Sequence, residues 1–490
     1  MTDLRTYLHS AMLIACFSLP AAAQEPLSAS DWLSGSVRGP QREASAWRPG
    51  DERPPTVPGG RSIKPVAESG LVGPVQVTRL DGGDPDAAGI STARRAGLPP
   101  DLWLGSDPET LTGLILRTPA RLPAMTALLD RVLTTQLIPP QTQNPGKRGQ
   151  LFMARADRLL DMGALNRAQA LLIAAGQNDP EIFRRLFDIA LLEGDEARAC
   201  DIMNTTPGIA PSFAARVFCL AQTGDWAAAA ISLHGAEALG LIEEKQAVLL
   251  THFLDDAFVD DGQELEINDR ISPLDFRIHE AIGQPLPTAP LPIAFAHSDL
   301  RLNNGWKARL EAAERLARAG SIPAADLRAI YAEQKPAASG GVWERTGAMR
   351  TLEAALANND PAVALPAAFD QFRQANMADV LAAMIAKDLP DSGEGRAAEI
   401  TRWLRQWQGL LVATPVPAPE MLTAEAVTAP ETQKGEVLLA AMADVDAALD
   451  GDLARAGRGL ATLRALGLKG DADLAQAQIS LLPVMSPEYQ

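Results

Sequence analysis

His297, Ser298 and Asp299 are consecutive, and together they hold the three residue types of a hydrolytic triad. A triad works by convergence: the base must reach the nucleophile's hydroxyl while the acid orients the base from its far side. Neighbours in one loop do not readily meet that geometry, so cap or turn roles are expected for Ser298 and Asp299. His279-Glu280 lacks the second histidine of a zinc-binding H-E-x-x-H, and G-x-S-x-G, G-x-x-x-x-G-K and paired C-x-x-C are absent. The acidic run Asp255, Asp256, Asp260, Asp261, Glu264, Glu266 and Asp269 offers the oxygen ligands that Ca²⁺ favours, without the spacing of an EF-hand loop. A solvated acidic loop is the better reading, and no metal or cofactor is expected. In Ala337 to Arg345, a Gly340-Gly341 turn leads into Trp343 and Arg345 at a helix start. Such a turn can present backbone N–H groups and an aromatic to a ligand, or it can connect two helices with Trp343 buried. Gly340, Gly341, Trp343 and Arg345 are therefore candidate contacts, as is Trp32 in the island Ser30-Asp31-Trp32-Leu33.

These residues must be positioned by helices, because the chain repeats itself. Gly163 is followed by Leu165, Ala168 and Leu172; Gly194 by Glu196, Ala199 and Met203; Gly224 by Trp226, Ala229 and Leu233. The same spacing recurs from Gly320 (Ile322, Ala325, Ala329) and Gly451 (Leu453, Ala456, Leu460). A glycine lets the chain turn out of one helix. Small and large apolar groups then fall on one face of the next. The helices before the glycines carry matching stripes: Phe152, Ala156, Leu159; Phe183, Leu186, Phe187, Ala190; Phe213, Val217, Phe218, Ala221. Strand signals are almost absent. The expected fold is all-α, a stack of helical hairpins in an α-solenoid.

The middle of each unit, Gly224, Trp226, Ala229, Leu233 and Ala236 above all, resembles a tetratricopeptide repeat, although the period is shorter than the usual ~34 residues. The resemblance implies a curved, tetratricopeptide-like scaffold with a concave binding groove. The whole chain is also similar to an uncharacterised family of exported, Ala-rich bacterial proteins, some labelled antifreeze-like; no Ala-Ala-Thr array supports that label.

Residues 1–23 read as a secretory signal: Arg5 in a polar start, an apolar core from Ala11 to Leu19, and Ala21-Ala22-Ala23 as the cleavage site. The competing reading is a lipoprotein box ending at Cys16. Residues 24–97 are rich in Pro and Gly without apolar periodicity and are expected to be a disordered tether. Trp32 and its neighbours would dock onto a partner or back onto this protein. Residues 98–283 form the helical-repeat domain, opened by Ser106 as a cap before Pro108. Residues 284–411 are a second helical segment, 412–434 a Pro/Ala/Thr linker, and 435–490 a C-terminal hairpin. Cleavage after Ala23 leaves Cys200 and Cys219, an even pair that suggests a disulfide in an exported protein, with two buried thiols as the alternative.

With 61 acidic against 44 basic residues the net charge is −17, which argues against nucleic-acid binding and anionic lipid. No other apolar run is long enough to span a bilayer. The expected protein is a non-enzymatic periplasmic scaffold or adaptor that binds another envelope protein or a peptide. One alternative is a peptidoglycan-associated factor, since the superstructure resembles the non-catalytic part of soluble lytic transglycosylases. A second is an enzyme with an unfamiliar site near residues 297–306 and 339–345.

Overall fold

The computed structural model describes residues 29–34, 84–141, 148–176, 179–206, 208–255, 265–390, 394–411, 421, 425–428 and 432–489. The expected signal segment with Cys16, most of the tether, the middle of the acidic run and most of the 412–434 stretch lie outside them. The described chain is all-α except for a two-residue parallel ladder pairing Ser91 with Thr135 and Thr92 with Gln136. No helix among the described residues is long and apolar enough to cross a membrane.

Two four-residue helices, α1 (Ala29–Trp32) and α2 (Ala93–Ala96), precede α3 (Pro108–Arg117) and α4 (Pro123–Thr134). The repeats follow as α5 (Gln150–Asp161), α6 (Leu165–Ala175), α7 (Pro180–Glu193), α8 (Glu196–Thr205), α9 (Phe213–Gln222), α10 (Trp226–Ala238), α11 (Glu244–Leu254) and α12 (Pro273–Ala281). Then come the single turn α13 (Ala296–Asp299), α14 (Trp306–Arg318), α15 (Ala324–Glu333), α16 (Val342–Ala357), α17 (Ala364–Gln374), α18 (Ala378–Ile385) and α19 (Gly395–Trp407). Three helices end the chain: α20 (Lys434–Asp446), α21 (Leu453–Ala465) and α22 (Lys469–Met485). A single hairpin was expected over 435–490; a second left-handed turn at Gly467 makes room for the third helix.

Helix starts follow their caps. Asp107 accepts the Glu109 and Thr110 N–H groups at 3.0 and 3.1 Å, and Pro108 supplies the first turn of α3. The cap is thus Asp107 and not Ser106, which is buried one residue too early to reach those amides. Asp179-Pro180 and Ser272-Pro273 begin α7 and α12 in the same way.

Consecutive helices from α5 to α12 pack on one another, and α12 returns to α7. The repeat spacing explains the packing in four of five units. Ala168, Ala199, Ala229 and Ala456 are buried, as are Leu172, Met203, Leu233 and Leu460 beyond them. The Gly320 unit departs from it: Pro323 delays the helix to Ala324, which rotates Ala325 and Ala329 to solvent and buries Leu327 and Tyr331 instead. Phe213 and Trp226, expected on buried stripes, are 46% and 51% exposed.

Residues 84–97, expected to lack order, are held by polar groups and not by an apolar stripe. Asp86 is buried and accepts the Gly149 and Phe152 N–H groups at 2.9 and 2.7 Å. Arg155, on α5, is fully buried and donates to the carbonyls of Leu133 (2.7 Å), Thr135 (2.9 Å) and Asp86 (3.1 Å). The C-terminal helices return to the start of the fold. Buried Asp446 accepts the Arg121 and Leu122 N–H groups, and Gln478 accepts that of Ala124, so α20 and α22 cap α4, which has no side-chain cap of its own.

Cys200 on α8 and Cys219 on α9 are joined by a disulfide, with their Cα atoms 5.1 Å apart. The bridge lies inside a second apolar cluster, built from α7 to α12 and distinct from the main core.

Candidate functional site

The end of α5, the middle of α7 and the Pro-rich stretch after α12 meet around the N-terminal segment. On α7, Arg184 and Asp188 are one turn apart, and α5 brings Asp161 alongside. The 3-10 turn Ile293–Phe295 adds Phe295, which contacts Phe276 of α12 edge-on at 5.4 Å.

Residues 29–34 fill the space between them. Trp32 is 2% exposed, its ring 5.6 Å from that of Phe295 and inclined at 67°. Ala29 and Leu33 are also buried. Asp188 accepts the Ser34 backbone N–H at 2.9 Å and its hydroxyl at 2.5 Å, while Arg184 donates Nη1 to the Ser34 carbonyl at 2.8 Å. Every polar group of Ser34 is thereby read by two side chains 150 or more residues away. The Trp32 indole N–H is buried without an acceptor. Of the two docking readings open in the sequence, the structure shows the segment docked on its own chain.

The energetics of this contact are finely balanced. Burying Trp32 contributes about 4–6 kcal/mol, from roughly 150–250 Å² at about 25 cal/mol per Å², and Leu33 about 2 kcal/mol. Three hydrogen bonds add about 1 kcal/mol each. Ordering six residues costs about 1.5 kcal/mol each, or about 9 kcal/mol. Gain and cost agree within about 2 kcal/mol, so the segment sits close to the balance point between docked and free.

Charge at the site is dominated by burial. Desolvation raises Asp188 to about 6 against the opposing Ser34 bonds and the nearby Arg184 and Arg185. Asp161 is raised to about 7, again mainly by burial, with Arg158 and the Ala29 N–H opposing. Because the folded chain holds the Asp161 proton more tightly than the unfolded chain, stability falls as pH rises from about 4 to about 7. Asp161→Asn removes that cost. The variant's melting temperature should exceed the wild type's at pH 8, and the difference should vanish near pH 4; a gain independent of pH would show that Asp161 carries no such penalty.

The His297-Ser298-Asp299 stretch forms no triad. The His297 Nε2 lies 2.7 Å from the Gly163 carbonyl, the Ser298 hydroxyl donates to Leu192 O at 3.0 Å, and Asp299 accepts from Thr288. The three side chains point at different partners and rivet the 288–305 stretch across the turns that end α5 and α7. Those turns need glycine twice over. Gly163 and Gly194 have φ of +70° and +84°, and a Cβ would meet Ser321 and Ile293 at the first and Arg301 at the second.

Gly340 and Gly341 are exposed and left-handed, with no neighbour within 4 Å of where a Cβ would stand. Trp343 is partly buried against Trp306, ring centres 5.3 Å apart, which is the helix-connection arrangement. Arg345 pairs with buried Glu314 through Nε (2.9 Å) and Nη2 (2.5 Å), and the same carboxylate accepts the Tyr331 hydroxyl at 2.7 Å. Trp32 thus lies apart from the other four candidates. Among the described residues no group of three or more His, Cys, Asp or Glu is placed to hold a metal ion.

A shallow apolar groove opens on the other side of α7, between α6 and α8. Ile173, Leu186, Phe187 and Ile202 line it, with Asp195 and Arg198 at the rim. Sequence reasoning passed over Arg184, Asp188, Asp161 and Phe295. The available signal was on α7, where Arg184 and Asp188 stand one turn apart among Ile182, Phe183, Phe187 and Ile189, too deep in an apolar helix to be solvated. Comparison with protein-family models, with curated proteins and with solved structures gives no match.

Proposed function

We propose that the protein is a non-enzymatic periplasmic scaffold or adaptor, a tetratricopeptide-like solenoid that binds another envelope protein or a peptide. The observation that supports this reading is the open groove between α6, α7 and α8, an apolar trough with charges at its rim and Ile173 41% exposed within it. An exposed apolar trough on a helical scaffold suits an amphipathic helix or extended peptide laid along it. The titratable residues that offered an enzymatic alternative are engaged in structural bonds, which leaves binding as the better-supported role.

The test is a charge placed in the trough. Ile173→Glu combined with Ile202→Glu should weaken partner capture at least tenfold while the melting temperature stays within a few degrees of the wild type. Unchanged capture would remove the groove from the binding surface.

A further inference from the structure

Residues 29–34 are held in the manner of a bound peptide. Their contacts converge on features any peptide of this type carries: a backbone N–H, a carbonyl and a hydroxyl at Ser34, an indole two residues earlier, and a small residue at Ala29. The receiving groups, Asp188 and Arg184, are themselves buried. The indole N–H buried without an acceptor and the near balance of gain and cost are properties of a releasable occupant. A permanent piece of core would be fixed by a larger surplus. In the sequence, 49 residues separate Ser34 from Asp84, so the occupant can leave its site while remaining attached.

We infer that Asp161, Arg184, Asp188, Phe276 and Phe295 form a recognition site for a short peptide segment carrying tryptophan and, two residues on, serine. Residues 29–34 fill the site as an exchangeable intramolecular occupant, displaced by a segment of the same chemistry on a partner protein. The inference does not depend on the groove between α6 and α8, whose lining shares none of these residues. The tethered copy holds the site at a high effective concentration, so an outside segment gains access only when it binds more tightly or when the tethered copy is drawn away. The arrangement makes the N-terminal segment a guard on the site.

The experiment uses the full chain and a dye-labelled peptide of residues 27–36. Trp32→Ala with Ser34→Ala empties the site of its own occupant, and this variant should bind the peptide at least tenfold more tightly than the wild type does. Adding Asp188→Asn or Arg184→Gln should reduce that binding at least tenfold, and a peptide with Trp32→Ala should not bind. Absence of binding to the emptied chain, or binding indifferent to Asp188 and Arg184, overturns the inference. Hydrogen exchange on the wild-type chain gives a reading that needs no variant. The amides of residues 32–34 should exchange at least 100-fold faster than those in the middle of α5 and α7; equal protection would make the segment a fixed part of the core. A wild-type mass of two chains that falls to one when Trp32 and Ser34 are replaced would assign the segment to a second copy and overturn the partner assignment.

Discussion

Arg155→Leu lowers the unfolding free energy by about 3–5 kcal/mol, the range for removing one partner from a buried charge network. The side chain is fully buried, and its guanidinium satisfies three carbonyls on two separate stretches, Leu133 and Thr135 after α4 and Asp86 in the N-terminal turn. Leucine fills much of the volume but leaves those carbonyls without donors. It also strands Asp86, whose carboxyl is already raised by burial and is held down in part by the Arg155 charge. Burial brings Arg155 itself down to about 10, still far enough above neutrality to keep it charged. Arg155→Lys retains the charge without the planar fork, so its loss should be intermediate. Urea denaturation followed by circular dichroism measures both. A loss under 1 kcal/mol for Arg155→Leu would mean that residues 84–97 are not held by this residue.

Removing the Cys200–Cys219 bridge should cost about 3 kcal/mol in the chain-entropy model for a loop of this length. The bonded residues are 19 apart in sequence. The loss should be local: the bridge joins α8 to α9 inside the cluster formed by α7 to α12, while the main core is built from other residues. Cys200→Ala with Cys219→Ala, or the wild type in reductant, should therefore increase hydrogen exchange in α8 to α11 before it affects α3, α4 or α22. Protection lost uniformly across the chain would contradict that division. Coincident melting of the variant and the oxidised wild type would remove the bridge from the stability of the fold.

The parts of this fold that are legible in the sequence are those set by local period. Glycine spacing and the stripes at Phe152, Phe183 and Val217 place the hairpins because both helices of a unit lie within about 30 residues, and their burial follows from helical geometry alone. The register at Gly320 is not legible from that spacing, since Pro323 moves the start of α15 and with it the buried face. Long-range closures leave almost no trace. Nothing near Leu122 announces that its amide is capped by Asp446, and nothing near Ser34 announces Asp188; such pairings are separated by 324 and 154 residues. The candidate site is half legible for the same reason. Trp32 stands out as an amphipathic island in a Pro/Gly-rich stretch, while the residues that receive it are charged groups inside an apolar helix. Residues 84–97 show the complementary case: they have no apolar period, and two buried polar side chains order them.

The central claim is that the groove between α6, α7 and α8 takes a protein partner in the cell envelope. A photoreactive residue at position 186, in place of Leu186, reads that contact in living cells. The account predicts one dominant protein adduct, lost when Ile173 and Ile202 are replaced by glutamate, with the partner identified by mass spectrometry. Muropeptides in the adduct, or no adduct at all, would contradict it.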